Sequence, residues 1–161
     1  MKCLECGNTM KKRIVEHHYA ECGLKNIFLK NVEELVCPNC GEEELVIPNM
    51  EQLHKLIANH VAVQKQRLLP EEVRFLRSHL GFSGVDFANA IGVAAETVSR
   101  WENGREEMKL SHERFLRVLI LYEFGPVRDY LKSLPNLGAV REKKRIKNIF
   151  KAEKNHWKKA A

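Results

Sequence analysis

The sequence predicts an α+β chain: a small metal-stapled β domain, followed by an all-α domain of five short helices. Three observations predict it. Cysteines recur as Cys3-x-x-Cys6 and Cys37-x-x-Cys40, each pair with a glycine beside it, Gly7 and Gly41. Between the pairs, short apolar runs alternate with turn residues. From Pro70 onward the apolar residues take helical spacing, and that pattern is interrupted at Gly92, Gly104 and Gly125-Pro126.

The first unit, residues 1–48, takes its order from sulfur. A Cys-x-x-Cys knuckle aims two thiolates at one point, and the thirty residues between Cys6 and Cys37 suffice for a sheet that brings two knuckles together. Zinc is the expected ion, on Cys3, Cys6, Cys37 and Cys40. Four thiolates leave no open position for water or substrate, so the ion is structural. A segment of roughly 45 residues with few large apolar side chains does not fold on its own burial, and metal binding supplies the missing free energy. Redox Cys-x-x-Cys pairs call for a βαβ setting that these flanks lack. Within the unit, Arg13–Glu16, Ile27–Leu29 and Leu35–Val36 read as short strands, with turns at Gly7-Asn8 and Gly23. Cys22 has no evident partner and reads as a small core residue.

Residues 49–69 read as a linker helix. Asn49 offers an N-cap, with Gln52 three positions on, and Met50, Leu53, Ile57 and Val61 follow at helical spacing. The second domain, residues 70–134, opens at Pro70-Glu71-Glu72, where proline and acids suit a first turn. Further helices are expected at 83–91, 94–103, 111–122 and 127–134.

The second and third of these five form a helix-turn-helix. Small Ala88 permits close crossing, Gly92 takes the positive φ of the turn, and Val98 fills the wedge between the helices. Phe87 and Ile91 complete the buried face, and Trp101 belongs to the core. In such motifs the start of the second helix and its next turn face the major groove, which places Ala95, Glu96, Ser99 and Arg100 toward double-stranded DNA. The Arg100 guanidinium matches the paired acceptors of guanine, unless it is spent on Glu96 one turn earlier. Glu96 can accept from cytosine or simply complement the helix N-terminus. Ser83, Thr97, Asn103 and Arg105 stand where phosphates would pass, and since the helical domain is slightly acidic, its attraction to DNA rests on the local placement of Arg100, Arg105 and Arg77.

Net charge is +6, and its distribution is uneven. Residues 135–161 carry nine Lys/Arg against two Asp/Glu, whereas the remainder is close to balanced. This segment reads as a basic tail that attracts polyanions, with Lys143, Lys144, Arg145 and Lys147 neutralising phosphate. Ile146, Ile149, Phe150 and Trp157 fall near helical spacing, as in a nucleic-acid arm or a membrane-surface helix. No apolar run is long enough for a span and the N-terminus has no signal-peptide core, so a cytoplasmic protein with no membrane partner is expected. The scattered histidines stand near no nucleophile, acid pair or open metal position, which argues against an enzyme.

The order of zinc domain, linker helix and helix-turn-helix resembles the MqsA/YgiT-type antitoxins over residues 1 to about 134. The elements that carry the likeness are Met1-Lys2-Cys3-x-x-Cys6, Cys37-x-x-Cys40, Leu69-Pro70-Glu71, and Ser99-Arg100 followed by Trp101. The segment around Thr97–Gly104 is similar to the recognition helix of phage-repressor (Xre, Cro/C1) proteins. The resemblance implies zinc on the four cysteines and base contacts at Glu96 and Arg100, where Glu96 replaces a neutral amide. It also implies a homodimer, repression of the chain's own operon, and a zinc domain that binds and neutralises a small ribonuclease toxin. A stand-alone zinc-containing regulator with no toxin partner has the same architecture. Phe115, Leu119, Tyr122, Phe124, Tyr130 and Leu131 exceed what one small helical unit must bury, and are the expected dimer contacts.

Overall fold

The computed structural model describes residues 1–125, 127–133 and 146–160, which fall into two compact units. The first comprises Met1–Ala20, Lys25–Leu53 and Ile146–Ala161. It is a sheet of β1 (Lys11–His18), β2 (Ile27–Val36), β3 (Glu43–Val46), β4 (Asn148–Glu153) and β5 (His156–Lys159). The long central β2 pairs antiparallel with β1 along one edge. Its other edge is shared: the second half pairs antiparallel with β3, the first half parallel with β4, and β5 pairs antiparallel with β4.

Two expectations are corrected here. The strands read at Ile27–Leu29 and Leu35–Val36 are one continuous strand, because the polar stretch between them accommodates a bulge instead of a turn. Val15 and His17 of β1 face Val32 and Leu29, so β2 spends one extra residue there, and Asn31 takes it up at φ 59°. The larger correction concerns the basic tail. Ile149, Phe150 and Trp157 lie on strands, not on a helix. Phe150 and Trp157 are buried, and the Trp157 indole N–H donates to the Pro48 carbonyl at 2.6 Å. The Trp157 backbone N–H donates to Gln52 Oε1 at 3.0 Å, and Asn148 N donates to the Asn26 carbonyl at 2.8 Å. Over so short a run, helical spacing and the alternation of Asn148, Phe150 and Ala152 toward the core are both legible, and the free edge of β2 decides between them. Ile146 stays exposed. The expected contacts of Lys143, Lys144 and Arg145 lie outside the described residues.

The second unit holds α1 (Met50–Ala62) from His54 on, α2 (Pro70–His79), α3 (Gly84–Ile91), α4 (Ala95–Glu102), α5 (Leu110–Phe124) and α6 (Val127–Ser133). Their ends follow the predicted signals. Asn49 Oδ1 accepts from Gln52 N at 3.2 Å at the start of α1, and Pro70 opens α2, where the Leu69 N–H donates to Glu72 Oε2 at 2.8 Å. Val73, Leu76, Phe87, Ala88, Val98, Trp101, Leu116, Ile120 and Leu121 make the core.

A buried ionic knot that sequence reading missed ties this unit together. Glu113 and Arg117, one turn apart on α5, are 1% and 0% exposed. Glu113 accepts from Arg117 at 2.8 Å, from Arg67 Nε at 2.6 Å and from the Leu68 N–H at 3.2 Å. Arg117 also donates to the carbonyls of Ala62, Gln64 and Gln66. The irregular segment after α1 thereby has its carbonyls satisfied by one guanidinium, as burial requires. The Glu113-x-x-x-Arg117 spacing is the only sequence signal for it, and on a surface helix the same spacing is common.

Candidate metal centre and helix-turn-helix surface

The two cysteine knuckles are built alike. In the first, the Cys3 N–H donates to the Asn8 carbonyl at 2.8 Å and the Gly7 N–H to the Cys3 carbonyl at 2.9 Å. In the second, the Cys37 N–H donates to the Glu42 carbonyl at 2.8 Å and the Gly41 N–H to the Cys37 carbonyl at 3.0 Å. Gly7 at φ 72° and Gly41 at φ 79° turn the chain where a side chain would be strained. β2 leads straight into the second knuckle and β1 follows directly on the first, so the antiparallel pairing of Lys11 with Val36 brings the knuckles side by side. Cys3 and Cys37 are buried with Met10 and Leu35, while Cys6 and Val46 pack against them.

The ligand atoms of Cys3, Cys6, Cys37 and Cys40 all lie within 4.8 Å of one another. Two of the approaches run across the knuckles, 3.5 Å between Cys3 and Cys40 and 3.4 Å between Cys6 and Cys37. These four sulfurs can hold a metal ion. Cys6 and Cys40 are pushed in opposite directions: the Asn8 backbone N–H and side-chain amide, with a further contribution from Cys37, bring the Cys6 thiol down to about 6. The Glu42 N–H favours the Cys40 thiolate, but the surrounding sulfurs of Cys3, Cys37 and Cys6 outweigh it and push that thiol up to about 12. Crowded thiolates of this kind call for a cation among them. Cys22, half-buried in a single 3₁₀ turn at Ala20–Cys22, is not among them, and burial raises its thiol.

In the second unit, α3 and α4 form a helix-turn-helix. Ser83 caps α3, accepting from Asp86 N at 3.1 Å and donating to Asp86 Oδ2 at 2.6 Å, so its hydroxyl serves the helix end. Gly92 sits at φ 71°, ψ 38° in the left-handed region, and the Val93 N–H donates to the Ala88 carbonyl at 3.0 Å. Ala88 and Val98 are buried between the helices; Ile91 is only half-buried.

α4 turns Val98 and Trp101 inward and leaves Glu96, Ser99 and Arg100 exposed, with Ala95 and Thr97 half-exposed. Ala95, Glu96, Ser99, Arg100 and Arg105 line one open concavity. Arg100 is not engaged with Glu96; its Nη1 lies 3.8 Å from Glu106 Oε2, at an exposed and therefore weak pairing. Asn103 is occupied locally, donating to the Ser99 carbonyl at 2.8 Å and accepting from Arg74 Nη2 at 3.2 Å. Arg77 is corrected. It is half-buried, donating to Glu102 Oε1 at 2.5 Å and to the Phe82 carbonyl, and so fastens α2 to α4 instead of facing outward.

With cysteine cluster and helix-turn-helix both in place, the family comparison is decisive. Residues 1–122 match the model of the MqsA antitoxin family, the antitoxin component of a bacterial toxin-antitoxin system. The chain belongs to the MqsA antitoxin family. Membership makes it the antitoxin side of such a system and implies a toxin partner. Neither curated proteins nor solved structures gave a match. The family match ends within α5, so β4 and β5 lie beyond it. Among the described residues no helix is long and apolar enough to cross a membrane.

Proposed function

We propose that this antitoxin is a zinc-containing, homodimeric repressor that binds operator DNA through α4 and neutralises a small ribonuclease toxin through its sulfur-bearing unit. The observation that carries the DNA half is the division of α4, whose Val98 and Trp101 are buried while Glu96, Ser99 and Arg100 share one exposed concavity with Arg105. An arginine so presented reads guanine, Glu96 accepts from a cytosine amino group, and Thr97, Asn103, Arg105 and Ser83 border the phosphates. Asn103 and Ser83 reach phosphate only by giving up the local bonds described above.

Zinc suits the sulfur cluster. A tetrahedral ion with bonds of about 2.3 Å spaces its sulfurs about 3.8 Å apart, and the cross-knuckle separations of 3.4 and 3.5 Å need only slight expansion. Cys3, Cys6, Cys37 and Cys40 would hold it, and its contribution is to clamp the two knuckles. Exposed apolar residues support a dimer: Phe115 is 44%, Tyr122 76% and Leu131 50% exposed, and Tyr122 lines a concavity with Leu80, Phe82 and Leu119. Phe124 is half-buried and also lines it; the Tyr130 side chain lies outside the described set.

The test is a mobility shift on the chain's own upstream DNA, with zinc measured on the same sample. Specific retardation with one zinc per chain supports the reading. Folded, zinc-loaded protein that binds upstream and random duplexes equally would remove the repressor half.

A further inference from the structure

A second concavity lies behind the DNA-facing side of α4, entirely within the helical unit. It encloses about 230 Å³ between the start of α2 and the turn that joins α4 to α5. Leu68, Leu69, Pro70, Val73 and Met108 supply its apolar part, Arg67, Arg105, Glu106 and Glu107 its polar part, and Trp101 lines it too. An engineered apolar cavity of about 150 Å³ holds benzene, so this one has room for a single ring bearing a short polar arm.

The unpartnered polar groups of the residues that line this cavity are donors. Trp101 is 3% exposed and its Nε1, fully out of solvent, has no hydrogen-bond partner. A buried indole N–H ordinarily finds an acceptor. Arg105, on the rim, forms no ion pair among the described residues. The acids at the cavity are already matched, Glu107 to Arg67 at 3.6 Å and Glu106 to Arg100 at 3.8 Å. Arg67 is spent on Glu113 and the Met108 carbonyl. What is missing is an acceptor, preferably an anionic one.

We propose that this cavity is an effector site for a small monocarboxylate with one aromatic ring or a compact branched chain, its carboxylate taken by Arg105 and the Trp101 N–H. The consequence, which rests on the operator-binding reading, is regulatory. Arg105 also lines the concavity that holds Glu96, Ser99 and Arg100. A ligand that draws Arg105 inward withdraws one cation from the DNA face and weakens operator binding.

The experiment uses the full zinc-loaded chain and two probes, benzoate and its neutral counterpart benzamide. The chain has two tryptophans, so the indole N–H region of an NMR spectrum holds two resonances. Benzoate should move that of Trp101 and leave that of Trp157, already bonded to Pro48, in place. Benzamide should bind at least about tenfold more weakly, and Arg105→Ala should weaken benzoate by a similar factor, with Arg105→Lys recovering part of the loss. Arg105 is exposed, so neither variant threatens the fold. An indole signal unmoved by benzoate up to about 10 mM, a concentration that saturates even millimolar sites, overturns the proposal. That is also the outcome if a water merely bridges Trp101 to His112, whose ring lies 5.4 Å away and whose Nδ1 is likewise buried and partnerless. Equal binding of both probes overturns it too. If the protein binds its operator but benzoate leaves that affinity unchanged, the regulatory half falls. If no operator is bound at all, the DNA reading fails, while the indole shift still supports the site.

Discussion

Glu113→Ala tests the ionic knot in the helical unit. Glu113 is 1% exposed and accepts from Arg67, Arg117 and the Leu68 N–H. Truncating it leaves the fully buried Arg117 guanidinium beside that of Arg67 with no anion between them. Breaking one partner of a buried pair costs about 3–5 kcal/mol, because a buried charge is left uncompensated. For a helical unit of roughly 80 residues, each kcal/mol lowers the midpoint by about 4–8 °C, so a fall of at least about 12 °C is expected. The assay is thermal unfolding followed by helical circular dichroism, with zinc retention measured alongside to report on the sheet unit. Glu113→Gln should lose less than Glu113→Ala, since its amide oxygen keeps an acceptor beside Arg67, Arg117 and the Leu68 N–H while Arg117 still serves the carbonyls of Ala62, Gln64 and Gln66. A loss under about 1 kcal/mol for Glu113→Ala, within the range of exposed pairs, would refute the assignment of these residues to a water-excluded core.

Trp157→Ala should destabilise the sheet unit by about 3–5 kcal/mol, the cost of deleting a buried aromatic; a change within about 0.5 kcal/mol in denaturant titration would mean that the chain end is solvated surface after all. Arg100→Ala should cost about 1–3 kcal/mol on the operator and much less on random duplex, and equal losses in paired titrations would contradict base reading. Lowering the pH from about 7 to about 5 should release zinc, because protons compete for all four thiolates; a chromophoric chelator that takes up no metal on acidification would argue against thiolate ligation. Burial lowers the proton affinity of His54 and His79, with the charges of His54 and then Lys55 adding to the effect at His79. The unfolded chain therefore binds more protons than the folded one near and below the ordinary histidine range, so stability of the helical unit is present above that range and falls on acidification. His79→Gln should flatten this dependence in urea titrations at pH 7.5 and 5.5, and an unaltered slope would count against it.

The parts legible in the sequence are those whose physics is local. Cys-x-x-Cys with an adjacent glycine constrains a few consecutive residues, and only the meeting of two such knuckles needs the fold. Ser83, Gly92 and Pro70 likewise act on the backbone within one turn, and Ala88 and Val98 are ten residues apart across a single tight corner. Helix ends and the buried side of α4 follow from these. What escaped reading is built from groups far apart in the chain. Arg77 looks like an exposed cation on a helix until Glu102 and the Phe82 carbonyl are brought to it.

By itself, then, the sequence determined the α+β order, the two cysteine knuckles and the two helices of the helix-turn-helix, because short spacing and turn chemistry leave few alternatives. Only the tertiary structure decided the fate of the chain end and of the charged interior. Lys147 to Lys159 carries an amphipathic pattern compatible with helix or strand, and the open edge of β2, more than a hundred residues earlier, selected the strand by offering unpaired backbone groups and a pocket for Phe150 and Trp157. Glu113 and Arg117 could equally have been a surface pair. The carbonyls of Ala62, Gln64 and Gln66 have no helix to satisfy them, and their need for donors drew a full guanidinium, with its carboxylate, out of water.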